Sequence, residues 1–268
     1  MELHLDRNLI LESNCSFEEA RFGIMGVPFD STCSYRPGCR FGPLAIRREF
    51  IELEKPACFF DIPLYDLGNL YVIHGNLKET LNLEEDTLKK AFERNQGFIP
   101  VVLGGEHSVS YAPVKVLAEK HPGLQVVHFD AHADLKDDYL GEKWSHATVM
   151  KRIAQLGVDY CQKGVRILDD EEKALVRDTE PKKGVPTYIS IDLDVLDPSV
   201  APGVGTPEPN GMIYSELLSE LKGLLDSTRV VGLDIVELSP PYDVGGITAV
   251  TAANLLLNML TDRGHKHL

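Results

Sequence analysis

Short apolar runs recur along this chain, and longer segments of helical periodicity separate them. The runs cover residues 21–29, 57–68, 98–105, 124–130, 163–169, 186–194 and 229–238. Several are apolar on both faces, as strands are when helices cover both sides of a sheet. The helical patterns cover 82–95, 111–121, 145–157, 214–227 and 248–262, with apolar residues three and four apart. Strand–helix alternation of this kind predicts a mainly parallel sheet in a three-layer α/β/α domain. With no repeat, linker or low-complexity segment, a single domain over residues 1–268 is expected. The Gly/Pro-rich stretch 30–43 is expected to be a loop.

Composition narrows the function. A formal net charge of -14 leaves no basic surface for phosphates, so nucleic acid is not an expected partner. It suits a cationic ligand. Five cysteines, an odd number with no C-x-x-C pair, fit a reducing, cytoplasmic setting. Residues 1–10 lack the pattern of a signal peptide. No apolar run approaches the ~20 residues of a membrane span, so no membrane partner is expected.

Polar residues cluster where the runs end. "VVHFDAHADL" brings Asp130, His132 and Asp134 at every second position, and "YISIDLDVLDP" brings Asp192 and Asp194. In extended backbone such residues share one side. "LGGEHS" and "IVELSP" end two more runs with His107 and Glu237. Ligands bind parallel sheets at the carboxyl edge of the strands. Four packed carboxylates repel unless cations separate them or their pKa values rise. Two divalent ions would balance Asp130, Asp134, Asp192 and Asp194, with His107 and His132 as neutral nitrogen ligands. Such mixed ligation suits Mn²⁺. Two ions ~3.5–4 Å apart can share a bridging water and bring hydroxide to neutral pH. Leu196 and Pro198 break a calcium-loop pattern. No phosphate-loop or G-x-S-x-G motif is present.

Taken in order, "LGGEHS", "FDAHADL", "SHATV", "SIDLDVLDP" and "GLDIVELSPPYD" resemble the signature blocks of the ureohydrolases, the arginase and agmatinase family. The loop "GVPFDSTCSYRPGCRFGPLAIRR" is also similar to that family. The "ELSPPYD" block is most similar to agmatinases. The resemblance spans roughly residues 21 to 262. It implies a mainly parallel eight-stranded sheet and a dinuclear manganese enzyme that hydrolyses a guanidino compound to urea and an amine. It implies that His107, Asp130, Asp134 and Asp192 serve one ion and His132, Asp130, Asp192 and Asp194 the other, with Asp130 and Asp192 bridging. It implies Asp130, His146 and Glu237 in catalysis, with His146 moving protons and both His146 and Glu237 binding the substrate, Glu237 through the guanidinium. It also implies a homo-trimer or homo-hexamer.

The leading expectation is agmatine plus water to putrescine plus urea, through attack of a metal-bridging hydroxide. The alternatives are arginine or guanidinobutyrate as substrate, a zinc-dependent deacetylase-like enzyme, or a non-catalytic metal-binding relative. One departure falls at 163–178, which lacks the Arg-Ser pair of the family. The loop "LKDDYLGEKW" carries Asp137, Asp138 and Glu142, acids expected to favour a substrate with an ammonium tail over one with a carboxylate.

Overall fold

The computed structural model describes residues 4–6, 11 and 13–265, with side chains described as far as residue 262. Part of the N-terminal stretch read for a signal peptide lies outside the described residues. The strands are β1 (Leu5–Asp6), β2 (Phe22–Val27), β3 (Leu64–Leu70), β4 (Ile99–Gly104), β5 (Gln125–Phe129), β6 (Asp159–Lys163), β7 (Pro186–Asp192) and β8 (Arg229–Val236). They form one eight-stranded sheet in the order β1-β3-β2-β4-β8-β7-β5-β6. Only the β1–β3 pairing is antiparallel. The expected three-layer α/β fold is therefore observed.

Helices α1 (Gly42–Glu52), α2 (Leu77–Arg94), α3 (Tyr111–Lys120), α4 (Val149–Gln155), α5 (Asp170–Lys173), α6 (Tyr214–Ser227) and α7 (Ile247–His265) complete the chain. Two apolar clusters separate the layers. One joins Ile46 and Phe50 of α1, Leu217 and Leu221 of α6 and Leu256 of α7 to the sheet. The other joins Leu81 and Leu88 of α2, Val116 of α3 and Met150 of α4 to the opposite sheet face. By length and composition α7 could cross a membrane, its window from Val244 to Asp262 having a mean hydropathy of 1.4. Its apolar face packs inward instead: Ala252, Ala253, Leu255, Leu256 and Leu260 are fully buried.

Several boundaries differ from the sequence reading. The run 163–169 is not a strand. The edge strand lies just before it, where the polar "DYCQK" of β6 hides the pattern, and Gly164 ends the strand at φ 89°. A side chain at Gly164 would collide with Val195. In 57–68 the first five residues form a 3₁₀ turn, and β3 starts only after Pro63. The loop 30–43 ends in the first turn of α1, a helix the sequence reading missed. Pro43 sits at its start, as first-turn prolines do. Arg47 disguises the helix: it is fully buried and forms a two-pronged ion pair with Asp66, both bonds 2.8 Å. α2 starts five residues early because Asn76 caps it, accepting from the Glu79 amide.

One buried charge lacks a partner among the described residues. Glu84 of α2 is fully buried with neither carboxylate oxygen hydrogen-bonded. Burial, then the nearby Asp234 charge, raises its pKa well above the usual carboxylate value. A raised folded pKa leaves stability intact below the unfolded value of about 4.3 and erodes it as pH climbs toward the folded one. Glu84→Gln should escape this loss. In urea unfolding, its stability relative to the parent should rise by about 1.4 kcal/mol per pH unit across that window. A difference that does not change with pH would contradict this account.

Candidate metal centre

β4, β8, β7 and β5 are neighbours at the centre of the sheet, and each delivers one of the expected site residues at its carboxyl end. His107 opens a 3₁₀ turn just after β4. Asp130, His132 and Asp134 follow β5, Asp192 ends β7, Asp194 lies in the turn beyond, and Glu237 follows β8. Gly105 lets the β4 loop press against Phe29, whose backbone a side chain there would strike. Asp134 and Glu237 hold left-handed backbone, φ 54° and 65°. Such backbone costs a non-glycine residue of order 1–3 kcal/mol.

The side chains converge. His107 Nδ1 lies 3.0 Å from Asp130, 3.3 Å from Asp134 and 3.2 Å from Asp192. His132 Nδ1 lies 2.9 Å from Asp194 and 3.4 Å from Asp130. Asp130 thus reaches both groups, one oxygen toward each. Glu237 Oε1 accepts from the His107 amide at 2.7 Å. Its Oε2 faces Gly205, where the lack of a side chain leaves space.

Burial and like charge set the electrostatics. Burial and then Asp130 raise Asp134 well above the usual carboxylate range. Burial, Asp194 and Asp130 do the same to Asp192, and burial, Asp192 and Glu106 to Glu237. Burial opposes charge on His132, yet Asp130 and Asp194 push its pKa up to about 12. Without a metal, protons are shared among groups that would otherwise repel.

The donor set fits cations. Ser190 Oγ donates to Asp234 at 2.8 Å, so at 2.9 Å from His107 it accepts from Nε2–H. Burial opposes charge on His107, yet Asp130 and Asp192 raise its pKa well above the usual value; a cation that displaced the Nδ1 proton would leave the hydrogen on Nε2 and turn the Nδ1 lone pair toward three carboxylates. His107 Nδ1, His128 Nε2 and Asp130 Oδ2 are buried and close together but make no well-aligned hydrogen bond. A cation fits best between His107 Nδ1 and Asp130 Oδ2, where it would satisfy both.

A second histidine reads differently. His128 Nε2 is 3.1 Å from Asp130. Gln162 Nε2 donates to Ala133 O at 2.8 Å, which fixes the amide's orientation, and lies 3.0 Å from His128 Nδ1. His128 Nδ1 is therefore the acceptor and Nε2 carries the hydrogen. That leaves no lone pair on Nε2 for a metal, despite its place in the cluster.

The centre forms the floor of a cavity of about 340 Å³, lined among others by Cys33, Arg36, Tyr139, His146 and Ile167. Thr32 Oγ1 lies 3.3 Å from His146 Nδ1, and Glu106 in turn anchors Thr32. Burial, then the His132 and His107 charges, lower His146 to about 4, so it is neutral at pH 7. Ile167, in the segment that lacks the family's Arg-Ser pair, presents an apolar side chain to the cavity. Arg166 beside it holds the backbone carbonyls of Asp194 and Glu208.

The acidic loop does not do what its sequence suggested. Asp137 bonds Arg152, Asp138 caps its own turn at Gly141, and Glu142 is exposed. None of the three lines the cavity, whose nearby acids are Asp169 and Glu172, paired with Lys136. Chain proximity to the Asp-His-Asp block misled because Arg152 and the Gly141 amide engage Asp137 and Asp138 outside the cavity lining.

Ser190, Asp234, Gln162, Glu106 and Thr32 went unnoticed in the sequence. Polar residues inside otherwise apolar strands, as in "YISID" and "VVGLDIV", are the signal that could have found the first two. Ser190→Ala or Asp234→Asn should weaken metal binding about 10–100-fold, the usual effect of losing such a supporting partner. Metal-buffer titration measures it, and unchanged affinity in both variants would contradict the relay.

A sequence model of the arginase family matches residues 20–182 and 174–261. The agmatinase of Bacillus anthracis is 36% identical, aligned over 94% of this chain and 95% of its own. N(1)-aminopropylagmatine ureohydrolase of Thermococcus kodakarensis is 36% identical over 89% of each chain. The solved structure of agmatine ureohydrolase from Thermoplasma volcanium superposes with a TM-score of 0.82 at 30% identity, covering 93% of this chain and 92% of that one. Strand order, the converging Asp and His residues, and similarity along nearly the whole length agree: this chain belongs to the arginase family of hydrolases.

Proposed function

We propose that the chain is a dinuclear manganese hydrolase that converts agmatine and water to putrescine and urea. The observation that carries this reading is the buried cluster of four aspartates and two histidines on the cavity floor, with Glu237 beside it. The similarity to enzymes named for agmatine supports the substrate. His107, Asp130, Asp134 and Asp192 would hold one ion, and His132, Asp130, Asp192 and Asp194 the other. When bound, the ions supply an activated water at neutral pH and positive charge for the tetrahedral intermediate.

The chain's own residues do the rest. Glu237 presents Oε2 to the guanidinium, a charge-assisted contact that orients the planar group over the cluster. Its other oxygen is held by the His107 amide, so the carboxylate cannot swing away. His146, neutral and steadied by Thr32, accepts a proton and hands it to the leaving amine. A trimeric or hexameric assembly and a cytoplasmic location belong to the same proposal.

Manganese-loaded protein assayed for urea with a panel of guanidino compounds tests the reading. Agmatine should be turned over at least roughly tenfold better than arginine in kcat/KM, which requires only ~1.4 kcal/mol of discrimination. Equal values or an arginine preference would remove agmatine from the proposal, and no urea from any compound would remove the reaction. Asp130→Asn or Asp192→Asn should abolish activity and lower metal content. Full activity with at most one ion per chain would defeat the dinuclear assignment. His146→Asn should lower kcat by about 10²–10⁴ while metal content stays unchanged.

A further inference from the structure

The thiols of Cys33 and Cys39 have no part in the hydrolysis described above. They face each other within the loop after β2, their sulfurs 3.4 Å apart. Asp30 braces that loop by accepting from the Gly38 and Arg40 amides at 3.0 and 3.3 Å and pairing with the Arg40 side chain. Cys39 is buried, and Cys33 lines the cavity. Glu237 approaches both: one donor atom from each of the three residues lies within 4.8 Å of the other two.

We propose that Cys33, Cys39 and Glu237 form a separate site for a soft divalent cation of the zinc or cadmium class, beside the carboxylate-rich centre. The two donor sets differ in kind. Thiolates favour soft and borderline ions, whereas carboxylates and imidazoles suit manganese. Bonds of about 2.3 Å to a tetrahedral ion put two sulfurs a little under 4 Å apart. The loop therefore needs to open by only a few tenths of an ångström. Cys33 gives the ion a path from the cavity, and the cavity gives it room for water as a fourth ligand. The carboxyl groups of Glu237, Glu106 and Asp30 stand close to the pair. A bound cation would displace the protons that burial keeps on the thiols and on Glu237.

An ion held there occupies Glu237. It would therefore exclude a guanidinium, a consequence that rests on the proposed function. Binding of the ion itself does not.

Cadmium is the probe. It is titrated into manganese-loaded full-length protein, kept reduced by a phosphine, while the ultraviolet thiolate-to-cadmium charge-transfer band is followed. The manganese centre has no sulfur ligand and is silent in this band. The band should saturate at one cadmium per chain and vanish in C33S and in C39S, with manganese content and circular dichroism unchanged. Glu237→Gln should weaken cadmium binding at least tenfold. No band, a band that persists in the C33S/C39S double variant, or an unaltered affinity in E237Q would each overturn the site. Agmatine should raise the cadmium needed for half-saturation. A normal band indifferent to agmatine would instead overturn the exclusion of substrate and leave metal binding by the pair established.

Discussion

Mutual repulsion among buried carboxylates governs this molecule. Asp130, Asp134, Asp192 and Asp194 are all buried, and Glu237 is buried beside them. Nothing in an isolated chain makes that arrangement favourable. It is tolerable only with compensating positive charge or with protons taken up, and the raised pKa values of Asp134, Asp192 and Glu237 register the second solution. The first solution, a pair of cations, matches a donor set whose lone pairs already point inward.

Holding such groups together requires a stiff frame, and the sheet supplies it. The four strands that carry the cluster are adjacent and parallel, so their carboxyl ends form one rigid edge. Behind that edge lies a layer of polar contacts inside the sheet. Tyr188 and Ser190 both donate to Asp234, and Ser190 sets the tautomer of His107. Gln162 does the same for His128. These contacts orient the ligating atoms before any ion arrives, so less ordering is left for binding to accomplish.

The central strands and the clustering of the Asp and His residues were legible because several acids spaced closely after apolar runs have few structural explanations. The convergence itself does not come from the extended backbone that spacing suggests: Asp134 is left-handed and Asp194 lies in a 3₁₀ turn beyond β7. What stayed hidden depends on tertiary partners. α1 went unread because Arg47 looks like a surface residue until Asp66 is seen opposite it. β6 is an edge strand, and its polar alternation resembles a loop. The acidic loop after Asp134 was misread because Arg152 and the Gly141 amide engage Asp137 and Asp138, partners that composition does not reveal. Sequence spacing speaks to which residues gather, whereas long-range pairing and loop partners must be seen.

The left-handed backbone at Asp134 and Glu237 has a consequence of its own. Glycine or asparagine would adopt those angles with less strain, so the fold itself favours losing the two carboxylates. At Glu237 the buried His107 amide would also lose its acceptor; beyond that contact, the work of the site keeps them. A descendant lineage released from that work would therefore drift toward a sturdier but inert protein, and these two positions are where the drift would first become visible.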